Sequence, residues 1–143
     1  MPTLEYATEE IALQLLRLRP MLASLPIVHY DRQGKAEKNR VVLRAVKGPR
    51  RTDGPGGYDL ELSVEYITVK RQTPAQNEVV MAEIESVFEP DALRAAGAAG
   101  VAQYPAFNYF SELHFEPGQD GDRENKDKHR QRKRTFQVIA KLK

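Results

Sequence analysis

Hydrophobic and polar residues alternate one by one along residues 58–66. The apolar side chains on one side of this pattern are those of Tyr58, Leu60, Leu62, Val64 and Tyr66. The polar side chains on the other side are those of Asp59, Glu61, Ser63 and Glu65. A period of two is typical of a half-buried β-strand, so we predict a long strand over 58–70. Both sides are apolar at Ile67 and Val69, which predicts that this end of the strand is covered on both faces.

A helix signal follows this strand. Thr73 is a good capping residue, Pro74 suits the first helical position, and Gln76 completes a capping box. Apolar residues then recur at helical spacing, namely Val80, Met81, Ile84, Val87 and Phe88. We therefore predict a helix over 74–88.

The N-terminal residues also have a helical period. Its apolar positions are Leu4, Ala7, Ile11, Leu15, Leu18 and Leu22. Pro20 cannot lie inside an unbroken helix, so we expect the helix to stop or kink near Leu18. Leu13 and Leu16 lie off the apolar stripe. They either widen the core-facing side of the helix or reach a neighbouring subunit.

Shorter alternating stretches predict four more strands, at 25–30, 40–47, 107–116 and 135–142. Two prolines and four glycines within 48–57 predict a hairpin loop, which makes the flanking strands antiparallel. Residues 90–97 predict a short extra helical turn. Residues 119–133 are almost entirely polar, which predicts a long exposed loop or a disordered arm.

These elements predict a single α+β domain over residues 1–143. A mostly antiparallel sheet, covered on one face by two helices, forms a two-layer sandwich, and an extended charged loop over 119–134 lies near the C-terminus. A length of 143 residues fits one domain with a moderate core. Chain order alone does not say which strands are neighbours.

The net charge is only +2, but it is unevenly distributed. Residues 31–53 contain eight Lys or Arg and three Asp or Glu, and residues 119–134 contain seven and four. Three interpretations stay open: solvated loops, docking on an acidic protein surface, and nucleic-acid binding. The 119–134 segment lacks the aromatic residues on which single-stranded bases stack, although contact with phosphates stays possible.

Catalytic and metal-binding patterns are weak throughout the chain. It contains no cysteine, so thiolate chemistry is excluded. Its three histidines lie in different elements, and the pairing of His114 with Glu112 is explained more simply by a polar strand face. The carboxylates of Asp59, Glu61 and Glu65 share a strand face but need a cleft for acid–base chemistry. We therefore expect no enzyme activity, no catalytic residue, no cofactor and no metal.

The whole pattern resembles the tail terminator (tail completion) proteins of long-tailed bacteriophages, together with related neck and head–tail joining proteins. The likeness is carried by residues 57–66, 74–88 and 134–140, and it covers nearly the whole chain in pattern and length. The resemblance implies a structural virion protein without catalysis. Such proteins form a homo-oligomeric ring, usually of six copies, that caps the tail tube, ends its polymerisation and provides the head–tail joining surface.

The resemblance also implies partners and a location. The partners are other copies of the chain, the tail tube protein and the head connector or neck proteins, with passing contact with DNA in the channel and none with a membrane. The location is the phage neck or tail, after assembly in the host cytoplasm. An alternative is another neck or tail subunit, such as a connector stopper. A further alternative is a small nucleic-acid-binding domain that uses the basic loops.

Assembly residues are predicted from the two basic segments and from the first helix. They are Arg50, Arg51, Arg123, Lys126, Lys128, Arg130, Arg132, Lys133, Leu13 and Leu16. As a hypothesis, the basic loops dock on neighbouring subunits, on the tube or on the connector. Charge reversal at Arg130, Arg132 and Lys133 is then expected to block assembly and to leave the monomer folded.

Overall fold

A five-stranded β-sheet and a layer of helices make up the fold. The computed structural model describes residues 3–30, 39–50, 57–68, 74–88, 110–124 and 130–142. Its helices are α1 (Leu4–Arg17), α2 (Pro20–Ala23) and α3 (Pro74–Val87). Its strands are β1 (Ile27–His29), β2 (Arg40–Arg50), β3 (Gly57–Thr68), β4 (Phe110–Glu124) and β5 (Arg130–Leu142). The predicted α+β class, with helices packed on a sheet, is confirmed.

The helices begin and end where local signals predict. The hydroxyl of Thr3 accepts a hydrogen bond of 3.2 Å from the backbone N–H of Tyr6 and so caps α1. That helix ends at Arg17 with Leu18 as its C-cap, and Pro20 is the first residue of the short helix α2. Pro74 likewise begins α3. The predicted cap at position 73 and the turn at 90–97 lie outside the described residues.

The core lies between the helices and one face of the sheet. The β3 residues predicted to point inward are buried, namely Leu60, Leu62, Val64 and Tyr66. Ile67 is buried as well, so both faces of β3 are covered near its end, as predicted. The helices contribute Ile11, Leu15, Leu22, Met81, Ile84, Val87 and Phe88. Burying one such side chain stabilises the fold by about 1.5–3 kcal/mol.

Leu13 and Leu16 belong to this core. Their exposed fractions are 6% and 0%. Helix α1 packs against β1, β2, β3, α2 and α3, so side chains outside the main stripe also find apolar neighbours within the same chain. Both residues therefore widen the core-facing side of α1. The prediction that Leu13 and Leu16 contact a neighbouring subunit is therefore corrected, because both side chains are buried within their own chain.

The sheet has the strand order β1-β2-β3-β5-β4. Strands β1 and β2 are parallel, and all the other neighbours are antiparallel, so the predicted mostly antiparallel sheet is confirmed. The last strand of the chain, β5, lies between β3 and β4. This placement could not be predicted from chain order.

The largest difference from prediction concerns residues 119–134. Instead of an extended loop, β4 continues to Glu124 and β5 begins at Arg130, and only 125–129 lie outside the described residues. Residues of opposite charge face each other across this hairpin: Asp120 and Arg134, Asp122 and Arg132, Glu124 and Arg130. The two segments pair with each other over this length, so a hydrophilic segment forms strands here without an apolar period of its own.

Candidate functional site

Two arginines of the predicted basic loop are used inside the subunit. Nη1 of Arg132 lies 2.5 Å from Oε1 of Glu78, and Nε of Arg134 lies 2.5 Å from Oε1 of Glu85. The two glutamates are two turns apart on α3, so they lie along one side of that helix. The arginine side chains are only 14% and 16% exposed. Together the two ion pairs hold α3 against β5, which leaves Arg132 little surface for docking.

The other predicted basic residues are distributed over several strands. Lys133 lies opposite Glu65 of β3, on the other face of the sheet from Arg132. Arg123 lies on β4 opposite Gln131. Arg50 is the last residue of β2, and Arg130 is the first residue of β5. The predicted sites at Arg51, Lys126 and Lys128 lie outside the described residues.

The acidic strand face has the position that the alternation predicted. Glu61 is exposed on the outer face of β3, and Asp59 and Glu65 are half-buried beside it. Within the described ranges, no group of three or more His, Asp or Glu side chains is placed to hold a metal ion. No helix among the described residues is long and apolar enough to cross a membrane.

A surface that sequence reasoning missed lies along the edge of β2. β1 has only three residues and pairs with residues 41–43, whereas β2 has eleven. Within the described chain, residues 44–50 therefore have a strand partner only on the β3 side. A cleft of about 470 Å³ lies between this edge, Tyr30 and the first turns of α1. The cleft exists because the two parallel strands differ in length.

Aromatic and apolar side chains flank this cleft. Tyr6, Tyr30 and Val46 are exposed by 38%, 42% and 48%. The guanidinium carbon of Arg44 lies 4.4 Å from the centre of the Tyr30 ring. Such a cation–π contact is worth about 0.5–1 kcal/mol at an exposed site, and it orders the two side chains relative to each other. The cleft thus combines an open strand edge with apolar surface and charges of both signs, since Glu5 and Glu9 line it together with Arg44 and Lys47.

His29 anchors the neighbouring part of β1 to α1. Its Nε2 lies 2.6 Å from Oε1 of Glu10, and its Nδ1 lies 3.4 Å from Oε1 of Glu9. The ring also stacks on Tyr6, with centroids 5.0 Å apart and planes 12° from parallel. Each ring nitrogen of His29 thus has a carboxylate oxygen beside it. These contacts hold the end of β1 and thereby position Tyr30 at the cleft.

No motif in the sequence indicates the contacts of His29, since the residues that meet are 19 and 20 positions apart. The available signal for the cleft was the contrast between a short predicted strand at 25–30 and a longer one at 40–47. That contrast becomes informative only when the two strands are known to be neighbours. The tertiary structure is therefore needed to find this surface.

Comparison with known proteins shows a likeness of fold. No protein-family model matches the chain, and no curated protein matches it. The fold is similar to that of a chain in the solved structure of the virion of a native gene transfer agent particle, with a TM-score of 0.52. The two chains are 17% identical, and 93% of each is covered. At this identity the likeness shows a shared fold over nearly the full length.

Proposed function

We propose that this protein is a structural subunit of a phage or phage-like virion and has no enzymatic activity. The observation that carries the proposal is the fold shared with a chain of the gene transfer agent virion over 93% of both chains. The residue pattern adds independent support, because it resembles the tail terminator and neck proteins of long-tailed phages.

Within the virion, the proposed role is that of a tail terminator. Copies of the chain form a ring, usually of six, on the last ring of the tail tube. The ring ends tube polymerisation and presents a surface to the head connector. A sheet with two different edges supports this role, because a closed ring is built from a contact between two different surfaces of the same subunit.

The structural role is also supported by how the most reactive groups are used. His29 and its two carboxylates lie between α1 and β1 and contact one another. The outer-face carboxylates of β3 are spread along the strand, with Glu65 opposite Lys133. These arrangements stabilise the fold and the surface charge pattern.

Electron microscopy of particles made without this protein tests the role. A terminator predicts over-long tail tubes without heads, because tube growth no longer stops. Tails of normal length that fail to join heads indicate a stopper or another neck subunit instead. Particles with normal tails, normal joining and normal infectivity contradict a virion role.

Addition of purified protein to polymerising tail tube gives a second measurement. The expected result is shorter tubes with a cap at one end, in proportion to the protein added. A matched control is the same protein after it has been unfolded and then refolded in the absence of tube subunits. This refolded protein should cap tubes equally well if the folded chain alone is sufficient for capping. Tubes that grow at unchanged length contradict the terminator role specifically.

A further inference from the structure

We infer that the two edges of the sheet bind each other between copies of this chain, so that the β2 edge of one copy pairs with the β4 edge of the next. The inference names the contact that would hold the proposed ring together. It rests on the proposed function for one point, namely that the assembly closes into a ring. The pairing itself follows from strand order, register and charge.

The first edge is that of β2 beyond the reach of β1. Because β1 covers only residues 41–43, residues 44–50 have a strand partner on the β3 side alone within the described chain. The cleft beside this stretch is flanked by exposed Tyr30 and Val46. Pro49 lies in the same stretch, and proline is found in sheets at edges or bulges because it has no N–H to donate. An incoming strand therefore meets open backbone groups and apolar surface at one place.

The second edge is that of β4, the terminal strand at the opposite side of the sheet. Over the described residues β4 pairs with β5 alone. The pairing register shifts between Phe110 and Glu112 and again between Pro117 and Asp120, so β4 is regular over 112–117. This regular part is nearly as long as the 44–50 stretch of β2. Such irregularities are common at sheet edges, where they redirect a strand.

One row of residues across the sheet shows how two copies are aligned. Val46 lies opposite Glu61, Glu61 lies opposite Gln137, and Gln137 lies opposite Glu116. Each step in this row is antiparallel, so β2 and β4 run in opposite directions. A second copy in the same orientation therefore places its β4 antiparallel to β2, which continues the pattern of the row.

Charge favours contact between unlike edges. Residues 44–50 contain Arg44, Lys47 and Arg50 and no acid, whereas the part of β4 that faces them in the aligned register, 112–118, contains Glu112 and Glu116 and no lysine or arginine. Glu116 is exposed and lies opposite the uncharged Gln137, so no basic residue is directly across from it. Two β2 edges, or two β4 edges, would bring like charges together, and this costs affinity.

A contact between unlike edges repeats from head to tail. It closes into a ring when the rotation between copies closes, and otherwise it continues as a filament. The ring is the form that the proposed function needs. The sheet of each subunit then continues into the next, and no strand edge of this kind is left open for aggregation.

Disulfide trapping tests the pairing directly, because the chain contains no cysteine. Three double variants combine Val46→Cys with His114→Cys, Glu116→Cys or Gly118→Cys. They cover the aligned register and shifts of two residues in either direction. We expect at least one of them to give a ladder of disulfide-linked oligomers. The control, Val46→Cys with Gln137→Cys, keeps the second cysteine in the same row but away from the edge, and it should run as a monomer.

Charge-exchange variants distinguish a contact between the β2 edge and the β4 edge from a contact between two copies of the same edge. The variant Arg44→Glu/Lys47→Glu reverses the charge of the β2 edge, and Glu116→Lys reverses a charge of the β4 edge. Each alone should need on the order of 10-fold more protein to assemble, measured as mass in solution by light scattering. An equimolar mixture should regain assembly, because the two variants alternate and every contact is again between opposite charges.

The outcomes separate this inference from the proposed function. The edge contact is overturned if rings form but none of the three disulfides does, or if Glu116→Lys assembles as the unchanged protein does. Either result leaves the proposed ring itself uncontradicted. Disulfides that form to the tail tube subunit instead of a second copy also overturn it. A protein that stays monomeric, alone and with purified tail tube, overturns both. The remaining case is that disulfide-linked rings form but virions made without the protein are normal. This result supports the edge contact and overturns the proposed function.

Discussion

Arg132 on β5 and Glu78 on α3 are joined by an ion pair of 2.5 Å between Nη1 and Oε1, although 54 residues separate them in the chain. Arg132 was predicted to dock on other subunits, and here its side chain faces a helix of its own subunit. Its Nε atom is buried and has no hydrogen-bond partner among the described residues. A reversed charge at this position therefore meets the acid of α3 at close range, and we expect it to affect folding before assembly.

The variant Arg132→Glu should lower the free energy of unfolding by about 1 kcal/mol, because an ion pair becomes a like-charge contact. Urea unfolding measures this change. Exchange of both charges, Arg132→Glu with Glu78→Arg, should regain most of the loss. The matched control is Gln137→Thr, an uncharged and exposed change on the same strand, which should stay within about 0.5 kcal/mol of the unchanged protein. Equal stability of all four proteins would contradict a stabilising ion pair between Arg132 of β5 and Glu78 of α3.

The variant Leu16→Ala should lower the free energy of unfolding by about 2–5 kcal/mol, because it leaves a cavity in the core. Leu18→Ala on the same helix is the control, since that side chain is 38% exposed and should lose much less. Thermal or urea unfolding of the dilute protein distinguishes the two. If Leu16 served only an interface between subunits, its replacement would leave the dilute monomer unchanged and would act on assembly alone.

The variant Gly48→Ala should destabilise the pairing of β2 with β3. A Cβ atom at this position would lie 2.9 Å from the backbone oxygen of Asp59, and the backbone of β3 cannot yield as a flexible side chain would. Overpacking of this kind typically costs about 1–3 kcal/mol. Urea unfolding gives the value. Val46→Ala, two residues away on an exposed site, is the control and should change stability little; similar losses for both variants would argue against the clash.

The variant His29→Ala should cost about 0.5–1.5 kcal/mol, because it removes the contacts of the ring with the carboxylates of Glu9 and Glu10. Hydrogen exchange should also become faster in β1, which His29 ties to α1. Tyr30→Ala, the next residue, removes an exposed ring and serves as the control. Unchanged exchange in β1 for His29→Ala would show that the strand is held by its pairing with β2 alone.

Local patterns were sufficient for the elements. The alternation along β3 and the prolines that begin α2 and α3 are properties of neighbouring residues, so they are visible in the sequence alone. They gave the predicted α+β class and the buried face of the sheet. The same approach was wrong for 119–134, because a hydrophilic strand has no apolar period to reveal it.

Outside residues 119–134, the sequence by itself determined which segments form helices and strands and which side of each is apolar, since periodicity and capping act over a few residues. Only the tertiary structure decided that β5 lies between β3 and β4, that Arg132 meets Glu78, and that β2 extends beyond β1. These relationships join residues far apart in the chain. They depend on which strands become neighbours, and that choice is made by the burial and pairing of the whole chain.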